Sequence, residues 1–149
     1  MELSQMTALE LSRNIRGKKI CVSDSVESVF HQIRKKEKKI HAYLDLYEED
    51  AYKRAEQVQK GIEQGIYTGP LAGVPIAVKD NICIRGKKTT CASGILENFI
   101  PTYQAEVIDR LEQAGMILIG KTNMDEFAMG STTETSAFGV TANPWNTEH

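Results

Sequence analysis

Three short stretches hold residue types from which a reactive or ligand-binding site could be built. VPIAVKDN (74–81) ends an apolar run on a lysine, GMILIGKT (115–122) fits the phosphate-binding pattern G-x-x-x-x-G-K-[ST], and MGSTTETSAFG (129–139) is rich in small hydroxylated side chains. A lysine acts as a base only when neutral, which requires its ordinary pKa of about 10.4 to be lowered by burial or by neighbouring cations. The apolar strand ending at Lys79 predicts such a desolvated position, at the carboxyl end of a strand, where open α/β sheets hold ligand-binding residues. A solvated lysine paired with the adjacent Asp80 is the plainer alternative, and an ordinary polar loop explains 129–139 equally well.

GMILIGKT does not read as a nucleotide site. In a phosphate loop the strand precedes the first glycine and the intervening residues form a turn whose N–H groups wrap the phosphates. Here the apolar run MILI lies inside the motif, so Gly115 is expected to stop a helix, MILI to form a buried strand, and Gly120–Thr122 to turn the chain. His31, His41 and His149 show no metal-ligand spacing, and no serine sits in a G-x-S-x-G elbow. Cys21, Cys83 and Cys91 form no C-x-x-C pair and read as reduced, structural thiols.

The elements that must position these residues follow from periodicity. Thr7 and Glu10 form a capping box for a first helix that Gly17 stops. A second helix begins near Ser23 or Asp24, with Val26, Val29, Ile33 and Ile40 at helical spacing, and its basic block RKKEKK (34–39) reads as a solvated face. HAYLDLY (41–47) suits a strand, 48–65 a helix burying Ala51, Ala55, Val58 and Ile62, and Pro75–Lys79 a strand. A helix at 105–114 turns Val107, Ile108 and Leu111 inward, and NMDEFAM (123–129) suits a short helix. This alternation predicts an α/β fold with a mixed sheet flanked by helices, and no repeat or low-complexity tract marks a boundary within it.

Composition bounds the function. With 149 residues, 41% of them apolar, the chain can bury a core, and a net charge of -2 supplies no global field toward nucleic acid or anionic lipid. No apolar run approaches the roughly 20 residues of a membrane span, and MELSQMTALE lacks the basic and apolar regions of a secretion signal. A cytoplasmic protein with no membrane partner is expected.

LAGVPIAVKDNI (71–82), TTCAS (89–93), GKTNMDEFAMGS (120–131) and SAFGVTANPWN (136–146) together resemble the N-terminal part of the amidase signature family. The resemblance covers essentially the whole chain and is most specific from residue 70 onward. Within the family, TTCAS, NMDEFAMGSTTE (123–134) and NPWN (143–146) are most similar to the glutaminase subunits of tRNA-dependent amidotransferases. The fold this implies is the amidase signature fold, incomplete in this chain. Residues 1–149 are expected to be the N-terminal part of a single domain, C-terminally truncated, because Phe138, Val140 and Trp145 ask for burial just before the chain stops at His149.

The resemblance implies a catalytic lysine, a serine in a cis peptide and a nucleophilic serine. Lys79 matches the lysine, whereas the family's serines follow the NPWN segment and match nothing in this chain. Ser131 resembles a residue that hydrogen-bonds near the lysine and substrate, Gly130 and Met129 resemble pocket lining, and Thr135 departs from a frequent asparagine. The implied activity is hydrolysis of glutamine, supplying ammonia for ATP-dependent transamidation of Glu-tRNA(Gln). Subunits B and C would be partners, tRNA would engage through the complex, and ATP and magnesium would bind a partner subunit, with no cofactor or metal in this chain. The 149 residues alone are expected to be inactive. Two other readings stay open: a stand-alone amidase on another small amide, and a non-catalytic assembly module.

Overall fold

The computed structural model describes residues 2–148; the terminal His149 lies outside the described residues. Its first helix, α1 (Ala8–Arg16), starts where the capping box requires: Glu10 N–H donates to Thr7 Oγ1 at 3.3 Å and Thr7 N–H to Glu10 Oε2 at 2.9 Å. Such a cap contributes about 1 kcal/mol. Gly17 ends α1 as expected, but with φ -77°; the left-handed residue is Lys18 (φ 57°). Helix α2 runs Val22–Ile40, its start marked by Asp24, whose carboxylate accepts from Cys21 N–H at 2.9 Å. The basic residues of RKKEKK lie on its exposed side.

Strand β1 (Tyr43–Leu46), helix α3 (Glu48–Glu63), strand β2 (Pro75–Lys79), helix α4 (Glu106–Gln113) and strand β3 (Ile117–Thr122) follow, with one-turn 3-10 segments at Leu3–Gln5, Gly94–Leu96 and Glu126–Ala128. The sheet order is β1-β3-β2. β1 runs antiparallel to β3, pairing Tyr43 with Thr122, Asp45 with Lys121 and Leu46 with Gly120. β2 runs parallel to β3, since Ile117 N–H donates to Val74 O and Asp80 N–H to Thr122 O. The described fold is thus mixed α/β, with a three-stranded mixed sheet and four α-helices.

The chain divides into two compact units whose segments interleave. The first comprises Met1–Ile33, Tyr47–Ile76 and Asp109–Ile119, the second Arg34–Leu46, Ala77–Ile108 and Gly120–His149. In the first, Leu11, Ile15, Val22, Val26, Phe30, Ala51, Ala55 and Val58 are buried, as helical spacing predicts for most of them. Gly73 (φ 78°) brings the backbone against this core: a Cβ there would lie 3.0 Å from both Ile15 Cδ1 and Val22 Cγ2. Ser25 Oγ donates to Gly73 O at 3.1 Å, and Arg54 ties α3 to Glu112 O at 2.7 Å. The second unit is built around Val78, Ile84, Ala92, Ile108 and Met124.

Three expectations change. Gly120, Lys121 and Thr122 belong to β3 and do not form a turn. The helix expected at 123–129 shrinks to one 3-10 turn interrupted by Phe127 (φ 51°), because the following loop draws the Asp125 carboxylate into hydrogen bonds outside any helix. Val107 is exposed, since the buried stripe of α4 centres on Ile108, about 100° around the helix from it. The apolar side chains of Phe138, Val140 and Trp145, which ask for burial, are left exposed by the described residues, Trp145 at 95%; Trp145 N–H bonds locally to Asn143 Oδ1, in a tight turn that carries the ring outward.

Gly120 carries a sharp consequence. A Cβ on it would stand 2.2 Å from Asp45 O and 3.1 Å from Leu46 Cα, both backbone atoms of the paired strand. Gly120→Ala is expected to separate β1 from β3 and destabilise the protein by about 1–3 kcal/mol, measured as a lowered midpoint in chemical denaturation.

Candidate active site

β2 delivers two neighbours in opposite directions. Alternation along the strand buries Val78 and exposes Lys79, and it turns Asp80 inward again. Lys79 therefore stands exposed at the carboxyl end of β2, and the desolvated position expected for it is not built by the described residues. The alternative pairing of Lys79 with Asp80 is not formed either, because alternation sends the Asp80 side chain to the other face.

Asp80 pairs with Lys121. Lys121 Nζ lies 3.0 Å from Asp80 Oδ1, with side-chain exposures of 0% and 2%. The ammonium also donates to Thr89 Oγ1 at 3.0 Å and Lys88 O at 3.4 Å. Asp80 Oδ2 accepts from Thr90 N–H at 3.0 Å, from the Thr90 hydroxyl, and from Ala92 N–H at 3.5 Å. Both charges are thus paired and hydrogen-bonded, the condition under which a buried ion pair is tolerated. The lysine of the G-x-x-x-x-G-K-T match faces the interior and serves as counter-ion to an aspartate, which removes the nucleotide reading on geometry.

The loop held by Asp80 is tightly turned. Cys91 and Ala92 both take left-handed conformations (φ 51° and 53°), sparsely populated for non-glycine residues. Cys91 N–H donates to Asp80 O at 3.2 Å, while Cys91 O accepts from Phe127 N–H at 2.9 Å. Buried Ser93 donates to Glu126 Oε1 at 2.6 Å. Burial, with the Asp80 carboxylate adding to it, pushes the Cys91 thiol pKa up, so the thiol stays protonated.

A second anchor holds the segment after β3. Asp125 Oδ2 accepts from Thr132 N–H and Thr133 N–H, both at 2.9 Å, and Oδ1 from Thr135 N–H at 3.2 Å and the Thr135 hydroxyl at 2.9 Å. Thr135, which stands where an asparagine is frequent, thus makes two of these bonds. A Cβ on Gly130 would lie 2.5 Å from Asp125 Cγ, so only glycine lets the chain pass over the carboxylate. Met129, Gly130 and Ser131 are displayed on the rim of this loop, all exposed, Met129 at 79%.

Lys79 and Met129–Ser131 thus follow the carboxyl ends of adjacent parallel strands, within the second unit. They are linked through the 89–93 loop. The site missed by sequence reasoning is the Asp80–Lys121 pair. Its one signal was parity: Ile117, Ile119 and Lys121 alternate onto one buried face, so the strand period continued through the lysine. A cleft of about 520 Å³ opens in the same unit between Tyr43, Lys87, Ile100 and Phe138, with Asp80 and Thr90 in its wall, and neither Lys79 nor Met129–Ser131 lines it.

The amidase family model matches residues 24–149. The chain belongs to the amidase family. It is 56% identical over 149 residues to the A subunit of the glutamyl-tRNA(Gln) amidotransferase from Lachnoclostridium phytofermentans, an alignment covering 99% of this chain and 30% of that relative. Among solved structures it is similar to the peptide amidase of Stenotrophomonas maltophilia, with TM-score 0.87, 27% identity and coverage of 97% of this chain and 31% of that one. It is also similar to the A subunit of the glutamyl-tRNA(Gln) amidotransferase from Thermotoga maritima, with TM-score 0.71, 32% identity and coverage of 99% and 29%. The chain thus spans about 30% of the length of these amidase relatives. Among the described residues, no helix is long and apolar enough to cross a membrane.

Two outcomes test this arrangement. Removing Lys121 leaves a buried uncompensated carboxylate, so Lys121→Ala is expected to cost about 3–5 kcal/mol and Lys79→Ala within about 0.5 kcal/mol, read from denaturant midpoints. Asp125 has its pKa lowered, first by the Thr133 N–H bond and then by the bonds from Thr135 and Thr132. A lowered folded pKa gives stability present above the unfolded value of about 3.9 and lost as pH falls through the folded value. The thermal midpoint is expected to drop with acid below about pH 4. Asp125→Asn should flatten that part of the profile.

Proposed function

We propose that this chain is the N-terminal part of the glutaminase subunit of a glutamyl-tRNA(Gln) amidotransferase, with residues 1–149 forming the first part of a single amidase signature domain. The observation that carries the reading is Lys79 at the end of β2, in the segment that matches the family's lysine, with Met129–Ser131 displayed past the end of the adjacent strand β3. The 56% identity to relatives bearing that name supports this substrate over others.

In this reading a nucleophilic serine, carried by the part of the longer relatives that this chain does not span, attacks the side-chain carbonyl carbon of glutamine. Lys79, neutral, takes the serine proton by way of the relay serine, and the proton then goes to the departing ammonia. Water hydrolyses the glutamyl ester, and the ammonia passes to a partner subunit, where ATP and magnesium activate Glu-tRNA(Gln). Ser131 hydrogen-bonds near the lysine and substrate, and Gly130 and Met129 line the pocket. Covering Lys79 falls to the rest of the domain, which supplies the desolvation that a lysine base needs.

A family-length polypeptide carrying this sequence, assembled with subunits B and C, is expected to release ammonia from glutamine. Lys79→Ala should lower that rate by about 10²–10⁴-fold with the complex intact. The 149 residues alone should release none. Full activity of the Lys79→Ala complex would overturn the role given to Lys79. Turnover of simple amides without partners and without preference for glutamine would favour a stand-alone amidase.

A further inference from the structure

A buried ion pair contributes little net stability compared with apolar side chains of equal volume, so its worth lies in the geometry it enforces. Asp80 is the residue after Lys79, and its carboxylate holds the N–H groups on either side of Cys91, those of Thr90 and Ala92. Those bonds keep two successive non-glycine residues left-handed, and a second such pair, Phe127 and Ala128 (φ 51° and 61°), is joined to the first by Phe127 N–H to Cys91 O. Conformations of this kind persist only where the surroundings over-determine them. A second bond between the two segments, from Ser93 to Glu126, closes the link one residue upstream of Phe127. The chain then runs from Ala128 directly into Met129–Ser131.

We infer that the buried Asp80–Lys121 pair is a positioning device, holding the strand end that bears Lys79 in register with the turn that bears Met129–Ser131 by way of the 89–93 loop. Asp80, Lys121, Ser93 and Glu126 touch no substrate in this scheme. They act through the backbone they fix. Lys121 matters because, without its ammonium at 3.0 Å, the Asp80 carboxylate would be drawn toward solvent and release the loop.

The inference rests on the amide-hydrolysing reading above, and one set of measurements separates the two. In the family-length enzyme with its partner subunits, Asp80→Asn is expected to lower kcat for glutamine about tenfold or more with KM within about twofold, because misplacement of a base acts on the transition state rather than on binding. Ser93→Ala leaves the ion pair in place but cuts the second link and the cap on Ile95 N–H, and should lower kcat in the same direction with a smaller fall in thermal midpoint than Asp80→Asn. Glu126→Gln keeps an acceptor for Ser93 and should retain wild-type kcat. Wild-type kcat in folded Asp80→Asn would overturn the inference. Should Asp80→Asn fail to fold, wild-type kcat in Ser93→Ala overturns it instead. A wild-type complex that hydrolyses no amide, or a fully active Lys79→Ala, would defeat the functional reading itself.

Discussion

One carboxylate, that of Asp80, organises the end of the sheet from which the candidate site is built. It lies buried one residue past β2, and each of its oxygens is committed: Oδ1 to the Lys121 ammonium, Oδ2 to the Thr90 and Ala92 groups. An unpaired charge at that depth would be untenable, so the lysine on β3 is obligatory once the aspartate is present. The neighbouring side chain of Lys79 is thereby left to point the other way. A strand end with one buried charged residue and one exposed charged residue sets a structural ion pair beside a solvent-facing lysine within two positions.

The loops beyond the strands obey the same logic of carboxylates gathering N–H groups. Asp80 bends the 89–93 loop, and Asp125 bends 129–135 by collecting three backbone donors and one hydroxyl. In each case a short acidic side chain substitutes for the regular ladder that a helix or strand would provide. This is why the segment after β3 is a single 3-10 turn rather than the helix its composition suggests. Gly130 is the steric counterpart of this arrangement, passing where any Cβ would strike Asp125.

The amidase relatives extend well past the span of this chain, and the exposed residues fit that context. Lys79, Met129 and Trp145 all present surface that the described residues leave open. The two compact units are assembled from alternating segments, so neither is a continuous stretch and no linker composition separates them. Interleaving of this kind is invisible to any reading that looks for a boundary along the chain.

Much of the local structure was legible in the amino-acid order because its causes are local. The Thr7–Glu10 cap, the bounds Pro75–Lys79 of β2, the buried face of α3 at Ala51, Ala55 and Val58, and the strand character of MILI all follow from neighbours within a few positions. The position of Lys79 at the carboxyl end of β2 was likewise legible without any coordinates. What the tertiary structure alone decided was everything set by partners far apart in the chain. Lys121 meets Asp80 across 41 positions, Phe127 meets Cys91 across 36, and Gly120 must be glycine because Asp45 O lies against it. Periodicity reports which face a residue takes; it is silent on what waits there, and so a lysine that matched a phosphate-binding pattern proved to be the counter-ion of a buried aspartate.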